Sequence, residues 1–247
     1  MTGATYNRRM RTLSCGLLLL CGLVACQTPA PRPVSSSATA GDIAATYAAL
    51  AAGGGTRYRV DAQASSVRIY AFRAGAAKKA GHNHVLSAPR FEGEVYLPGD
   101  DPTQARFDLS VPLASLVVDD PTIRSETGGN FASERSASDI EGTRRNLLGA
   151  KGLDAEQFPR VQIRSLAVAG DWPVLVVEVA VTLHGVTRNQ SLVMQVQRST
   201  TALTASGALV LRQSDFGLTP FSVLGGLLAV QDAVAIRFEL HASPVAR

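Results

Sequence analysis

The sequence predicts an all-β fold, in which a single antiparallel barrel or sandwich follows an export signal. The main observation is an alternation of apolar and polar residues that recurs in about eight segments after Tyr58. A second observation is that one long stretch, residues 119–157, breaks this alternation with polar, charged and glycine residues. Strands at this spacing, each with one apolar and one polar face, are typical of a barrel or a sandwich of ordinary domain size.

Residues 1–25 are predicted to be a lipoprotein signal peptide. Three arginines at positions 8, 9 and 11 form its positive start, and TLSCGLLLLCGLVA is shorter than the ~20 residues that a membrane-spanning helix needs. The apolar stretch ends in LVAC, which resembles the lipobox of bacterial lipoproteins, where the cysteine thiol is acylated. The alternative is ordinary cleavage that leaves Cys26 as a plain thiol. We expect an exported protein that is anchored to a membrane through acylated Cys26.

The cysteines and charges of the mature chain exclude several classes of site. Cys15 and Cys21 leave with the signal, so Cys26 cannot form an internal disulfide or a cysteine metal cluster. The signal also carries three arginines and no acidic residue, which leaves 21 basic against 20 acidic side chains. A nearly neutral domain offers no basic patch for nucleic acid. Because Gln27 rather than aspartate follows the cysteine, we expect an outer-membrane protein facing the periplasm.

Two short segments precede the strands. Residues 26–41 are rich in Pro, Ser and Ala and are predicted to form a tether. Residues 42–55 are predicted to form a short helix with Asp42 as N-cap and glycines at its end. Ile43, Tyr47 and Leu50 recur at helical spacing, so this helix is expected to pack on the domain. The alternative is a marginal helix that stays with the tether, because isolated segments of this length are unstable in water.

Residues 56–247 are predicted to form the β domain. Each strand is predicted from a row of apolar residues two positions apart, all facing one side. Six of these rows are Val67, Ile69 and Ala71; Phe91, Val95 and Leu97; Phe107, Leu109, Val111 and Leu113; Leu175, Val177, Val179, Val181 and Leu183; Leu192, Met194 and Val196; and Val234, Ile236, Phe238 and Leu240. The same alternation occurs in RVQIRSL and TALTASGALVLRQ.

The long polar stretch is predicted to cover one end of the sheet structure. Its best helical piece is SASDIEGTRRNLLGA, with a start near Ser138. Long loops without a function are uncommon in compact domains, which favours a lid over a filler.

Several motifs together resemble the YceI-like family of periplasmic proteins. YRVDAQASSVRI, EQFPRVQIRS, VTLHGVTRNQSLVMQV, LRQSDFGL and VQDAVAIRFELHA follow one another in that family's order and spacing, over about Tyr58 to Ala242. The resemblance implies a single eight-stranded antiparallel barrel, extended compared with a lipocalin, that encloses an isoprenoid or similar lipid. No catalysis and no cofactor are implied, other than a bound isoprenoid or quinone-type lipid.

An apolar barrel interior is suited to an alkyl chain, because each buried methylene contributes ~0.8 kcal/mol. Ala71, Gly93, Ala167, Ala205 and Gly207 are expected to face inward and leave room for it. The alternative is a barrel filled by its own side chains. The residues predicted to contact a ligand are Ile69, Phe91, Phe107, Leu109, Val177, Val179, Val181, Met194 and Phe238.

The heptapeptide AGHNHVL places His82 and His84 two positions apart at the start of a strand. Residues i and i+2 of a strand share a face, so the two imidazoles could meet one metal or haem iron, but a stable site needs three or four ligands. Two other interpretations stay open: neutral hydrogen-bonding groups at the barrel mouth, or contacts to the polar head of a lipid.

Other motifs do not support an enzyme. DFG at Asp215–Gly217 lacks the glycine-rich and catalytic loops of a kinase, and no G-x-S-x-G serine hydrolase motif occurs. Gly217 is expected to adopt an unusual backbone angle, and His184 to lie at a hairpin turn. The sequence therefore predicts non-catalytic binding of an isoprenoid-type or other amphiphilic lipid in the bacterial envelope. The alternative is a metal- or haem-binding envelope protein that uses His82 and His84.

Overall fold

The computed structural model describes Met1 and residues 40–246, which form three α-helices and eleven strands. The helices are α1 (Ala40–Ala52), α2 (Pro121–Thr127) and α3 (Ala137–Leu148). The strands are β1 (Thr56–Ala74), β2 (His84–Ser87), β3 (Glu92–Leu97), β4 (Arg106–Pro112), β5 (Val117–Val118), β6 (Arg160–Asp171), β7 (Val174–Leu183), β8 (Val186–Arg198), β9 (Leu203–Arg212), β10 (Ser222–Val223) and β11 (Leu228–Pro244).

Eight of the strands close into an antiparallel barrel. Their order is β1, β3, β4, β6, β7, β8, β9 and β11, and β11 pairs with β1 to complete the ring. The closing ladder runs from Tyr58 opposite Pro244 to Ala74 opposite Ala229. These eight strands are the eight predicted from the alternation, so the predicted all-β lipocalin-like barrel is confirmed.

The alternation of β7 shows why these residues form barrel strands. Leu175, Val177, Val179 and Val181 face inward and are buried, while Val174 and Val176 face solvent. β-branched residues fit a pleated surface, and burying each such side chain contributes about 1.5–3 kcal/mol. The apolar core therefore lies inside the barrel.

One predicted inward residue is wrong. A bulge between Ser165 and Ala167 shifts the alternation of β6 by one residue. Ala167 is therefore paired with the outward Glu178, and Val168 lines the interior instead. An inserted residue of this kind leaves no signal in a simple period of two.

Three short strands add to the barrel wall. A strand start at His82 and His84 was expected, and β2 begins at His84, whereas β5 and β10 were not predicted. The first part of β1 pairs with β3 at Thr56–Arg59, whereas its second part pairs with β2 at Arg68–Ala71. β5 pairs with β2, and β10 pairs with β11. β2 thus takes the place of β3 beside the second half of β1.

The polar stretch 119–157 lies at one end of the barrel, which we call the insertion end. This end is also formed by the last residues of β4, β7 and β9 and the first residues of β6. Ser136 caps α3 by accepting a hydrogen bond from the Asp139 N–H, so the helix begins slightly before the predicted Ser138. Leu147 and Leu148 of α3 pack on Leu113 and Leu116. The predicted placement over a barrel end is confirmed.

Helix α1 packs beside β3 and the start of β1, with Ile43 and Tyr47 buried. It begins at Ala40 and ends at Ala52, so Asp42 lies in its first turn rather than at the N-cap. The helical face predicted from Ile43 and Tyr47 is the face that packs on the barrel.

The predicted signal peptide, Cys26 and the tether up to residue 39 lie outside the described residues. Among the described helices, none combines the length and the apolar composition needed to cross a membrane.

Candidate functional site

The interior of the barrel contains a cavity of about 320 Å³. This volume is within the range of small-molecule sites, about 300–1,000 Å³. Nearly all its lining side chains are aliphatic or aromatic, and every barrel strand contributes at least one of them. A site of this composition stabilises a ligand through burial of apolar surface rather than through directed polar contacts.

All the residues predicted to contact a ligand line this cavity. They are Ile69, Phe91, Phe107, Leu109, Val177, Val179, Val181, Met194 and Phe238. Their position follows from the period of two, because every second residue of a barrel strand faces the interior. Contact with a ligand stays a prediction for each of them.

The inward glycines do not leave the open space that we expected from them. A Cβ on Gly93 would overlap Leu109 Cδ2 and come within 2.9 Å of Val60 Cγ2. A Cβ on Gly207 would lie 2.8 Å from the Phe238 ring. The space beside each glycine is therefore occupied by a larger cross-strand neighbour, and the cavity lies further inward.

Polar lining residues occur at one end of the cavity. Arg212 and Gln213, at the end of β9, are the polar side chains that line it within residues 40–246. They lie at the insertion end, where Arg212 Nη1 is 3.8 Å from Asp232 Oδ2 and the Gln213 amide donates to Gln231 O. Trp172 lines the cavity at the opposite end and donates its indole N–H to Asp100 O. The polar head of an amphiphile is therefore best accommodated at the insertion end.

A second group of lining residues lies at the insertion end, and of these only Leu113 was predicted from the sequence to face inward. Leu86, Leu113, Leu116, Leu147 and Leu153 form part of a second apolar cluster and also line the cavity. Leu147 of α3 and Leu153 of its following loop thus form part of the cavity wall, while the role of the insertion as a lid stays a prediction. The signal in the sequence for these two residues was their apolar character within an otherwise polar stretch.

His84 belongs to a buried charged network rather than to the cavity wall. Its Nδ1 lies 2.6 Å from Asp119 Oδ2, and Asp119 Oδ1 accepts hydrogen bonds from the Val85 N–H at 3.0 Å and from Arg124 at 2.5 Å. Arg124 also donates to Asn83 O at 3.0 Å. Burial opposes ionisation of Asp119, but the hydrogen bonds from His84, Val85 and Arg124 keep its pKa below the ordinary value. This network joins β2 to the start of the insertion.

His82 is adjacent to this network but lies before β2 begins. Its ring centroid is 6.1 Å from that of His84, with the two rings nearly perpendicular. Partial burial, and then the positive charge of Arg135, lower the pKa of His82, so this imidazole is neutral at pH 7. Within residues 40–246, no three or more His, Cys, Asp or Glu side chains group as metal ligands. The two histidines lie at the insertion end, but neither lines the cavity.

Two other predicted features lie in turns at the insertion end. Gly217 has a φ of 75°, which confirms the expected left-handed conformation. His184 and Gly185 form a two-residue hairpin turn with φ of 51° and 73°, and the His184 ring packs edge-on against Phe158 with centroids 4.7 Å apart.

One comparison with known proteins identifies a family, and another finds solved structures of similar fold. The family model of the YceI-like domain matches residues 58–242. Among solved structures, BcnA of Burkholderia cenocepacia is similar with 18% identity and a TM-score of 0.54, over 74% of this chain and 99% of that chain. The YceI protein of Campylobacter jejuni has 12% identity and a TM-score of 0.46, over 66% of this chain and 85% of that chain. No curated protein matches the sequence significantly. At 18% identity, the similarity to BcnA shows the fold alone.

Proposed function

The chain belongs to the YceI-like family, and we propose that its barrel binds and carries an isoprenoid-type or other amphiphilic lipid in the bacterial envelope, without catalysis. The observation that carries this proposal is the apolar cavity of about 320 Å³, with Arg212 and Gln213 as its polar lining side chains. At ~0.8 kcal/mol for each buried methylene, a tail of ten carbons would contribute ~8 kcal/mol before the costs of binding.

The chemistry of the lining supports binding rather than a reaction. Among the described residues that line the cavity there is no Ser, Cys, His, Asp or Glu, which are the usual nucleophiles and general bases. The lipobox-like LVAC and the positively charged start of the chain support an envelope location. Isoprenoid and quinone-type lipids fit the cavity because their tails are apolar and carry no hydrogen-bonding group.

The test has two parts: the lipid bound by the wild-type protein is identified, and a larger side chain is then introduced to occupy the cavity. Protein from its own host is expected to release a lipid into organic extracts, identified by native mass spectrometry. Val179 is buried and lines the cavity, so Val179→Trp is expected to displace that lipid with little change in Tm. Val176→Trp is the matched control, because Val176 lies on the same strand but faces solvent.

The proposal would be contradicted if two results were found together. The wild-type extracts would contain no lipid, and Val179→Trp would lose ~1–3 kcal/mol of stability, as overpacking of a filled core produces. A bound metal or haem that His82→Ala/His84→Ala loses and Val179→Trp keeps would instead support the histidine alternative. A contact between these histidines and the lipid head stays a prediction, for which the double variant should bind lipid more weakly.

A further inference from the structure

The connection between β9 and β11 exposes an unusual concentration of apolar side chains. Residues 219–227, which we call the apolar tip, include Phe221, Val223, Leu224 and Leu227, which are 45%, 39%, 69% and 48% exposed. These four are among only ten large apolar residues that are exposed in the described part of the chain. A cluster of this kind marks an interaction surface rather than an ordinary loop.

Positive charge lies beside the apolar tip. The turn that carries Lys78 and Lys79 is joined to the tip by a hydrogen bond from the Ala77 N–H to Leu227 O at 2.9 Å. Residues 73–81 and 216–231 contain no Asp or Glu. Within residues 40–246, neither lysine has a carboxylate partner.

The nearest acidic residues along the chain, Asp215 and Asp232, lie at the base of the tip. Asp232 accepts hydrogen bonds from the Ser214 N–H and hydroxyl at 2.8 and 2.7 Å, and it also faces Arg212. Asp215 is exposed. The charged side chains on the turn that is hydrogen-bonded to the tip are those of Lys78 and Lys79, and their positive charge complements an anionic surface.

The apolar tip is continuous with the cavity. Phe216 and Leu218, which precede it in the same connection, are buried and line the cavity wall. Phe221 follows three residues after Leu218 and is exposed. The chain therefore passes from the apolar interior to the apolar tip within a few residues.

We infer that the apolar tip, with Lys78 and Lys79, is a docking surface for an anionic lipid bilayer. Phe221, Leu224 and Leu227 enter the boundary between head groups and acyl chains, and the lysines lie against lipid phosphates. A partner protein fits this surface less well, because protein interfaces are depleted in lysine, and two exposed lysines lie beside the tip. Docking does not require a ligand, but the transfer of a lipid between bilayer and cavity at this end rests on the proposed function.

The first experiment places a tryptophan in the tip. The full chain carries Cys26→Ser, so that no acyl chain contributes, and Trp172→Phe, so that the new residue is the only tryptophan. With vesicles of phosphatidylcholine and phosphatidylglycerol, Leu224→Trp is expected to show blue-shifted emission and quenching by brominated acyl chains. Val174→Trp is the matched control, because Val174 is 48% exposed at the opposite end of the barrel and is expected to show neither effect.

The second experiment measures vesicle binding of the Cys26→Ser chain. Leu224→Ser/Leu227→Ser is expected to weaken binding by on the order of 100-fold, or ~2.8 kcal/mol, because two apolar side chains no longer contact the acyl chains. Lys78→Ala/Lys79→Ala is expected to weaken binding on the order of 10-fold, and only when phosphatidylglycerol is present. Val174→Ser should bind like the parent chain.

Identical emission of Leu224→Trp with and without vesicles would overturn the inference. Self-association that Leu224→Ser/Leu227→Ser abolishes, without vesicle binding by the parent chain, would overturn it in favour of a protein interface. The lipid content of the same variants distinguishes failure of the docking surface from failure of the proposed function. A cavity without lipid would contradict the proposed function. A cavity with lipid, in a chain that does not bind vesicles, would contradict the docking surface alone.

Discussion

Asp119 shows how a single residue can join two parts of this fold. It is 1% exposed, has a φ of 53°, and receives hydrogen bonds from His84, the Val85 N–H and Arg124. Arg124 is itself 2% exposed. A buried charged group is tolerated only when its partners compensate for its lost hydration. Removal of one partner leaves the other charge buried without compensation, and this strongly destabilises the folded protein.

Asp119→Asn is therefore expected to lower the free energy of unfolding at pH 7 by about 3–5 kcal/mol. The pKa of Asp119 in the folded chain is below its unfolded value of about 3.9, so the ionised form stabilises the native state. This contribution is complete above pH ~3.9 and is lost as the pH falls through the folded pKa.

Denaturant titrations at several pH values check this prediction. The difference in unfolding free energy between wild type and Asp119→Asn should shrink below about pH 4. Glu126→Gln is the control, because Glu126 pairs with Arg68 at 2.6 Å but is 53% exposed and should contribute less than ~1 kcal/mol. Equal effects of the two variants would contradict a special role for the buried network.

Position 93 needs glycine because neighbouring side chains leave no space for a Cβ, and not because of its backbone angle. An added Cβ would overlap Leu109 Cδ2, so Gly93→Ala is expected to cost about 1–3 kcal/mol of stability through overpacking. At Gly142 in α3, the nearest atom to such a Cβ is Arg145 Nη2 at 4.0 Å, so Gly142→Ala should gain about 0.5–1 kcal/mol. Thermal unfolding compares the two, and a neutral Gly93→Ala would mean that Leu109 can move aside.

At the scale of elements, α3 is the helix of the insertion that contributes a side chain to the cavity wall. Leu147 lines the cavity from this helix, while Arg144 donates to Ala114 O at 2.6 Å and to Leu116 O. These two carbonyls follow β4, so one side chain attaches the helix to the barrel rim. Helices held by a few such bonds open more readily than barrel strands.

Arg144→Met is expected to speed amide hydrogen exchange in α3, and the release of bound lipid, by about 10- to 100-fold. A hydrogen bond from a charged donor contributes ~1.5–3 kcal/mol. Loss of the Arg144 bonds is therefore expected to lower the free energy of opening α3 by about this amount. Arg145→Met is the control in the same helix, because Arg145 is 70% exposed and pairs only with Glu141 at 3.7 Å. Unchanged rates in a folded Arg144→Met protein would make the insertion a filler.

At the scale of the whole molecule, acylation of Cys26 stays a prediction, and an acyl anchor there would limit how far the barrel can leave a membrane. Cys26→Ser is expected to abolish acylation and to leave precursor or soluble protein in the exported fraction. Metabolic labelling with a radioactive fatty acid, followed by membrane fractionation, measures both effects. Normal membrane retention of the Ser variant would contradict the lipobox interpretation.

Local sequence determined the eight barrel strands and the residues that face the cavity. A period of two is a property of each strand alone, since successive side chains point to opposite faces wherever the strand lies. Val177, Val179 and Val181 could be assigned to the interior without knowledge of their neighbours. The predicted direction of Ala167 failed at the bulge after Ser165, where the backbone itself gains a residue; β1 has similar irregularities after Asp61 and Ala71.

Contacts between distant residues were decided only by the tertiary structure. His82 and His84 were predicted to lie side by side, and their ring centroids are 6.1 Å apart. The hydrogen-bond partner of His84, however, is the buried Asp119, 35 residues away in sequence. The short strands β2, β5 and β10 have too few residues to show a period. Each forms on the edge of another strand: β2 on β1, β5 on β2, and β10 on β11. Gly93 was expected to leave space, whereas the tertiary structure packs Leu109 and Val60 against it. A local pattern specifies which way a side chain points, but the side chain it meets there depends on how the chain closes in three dimensions.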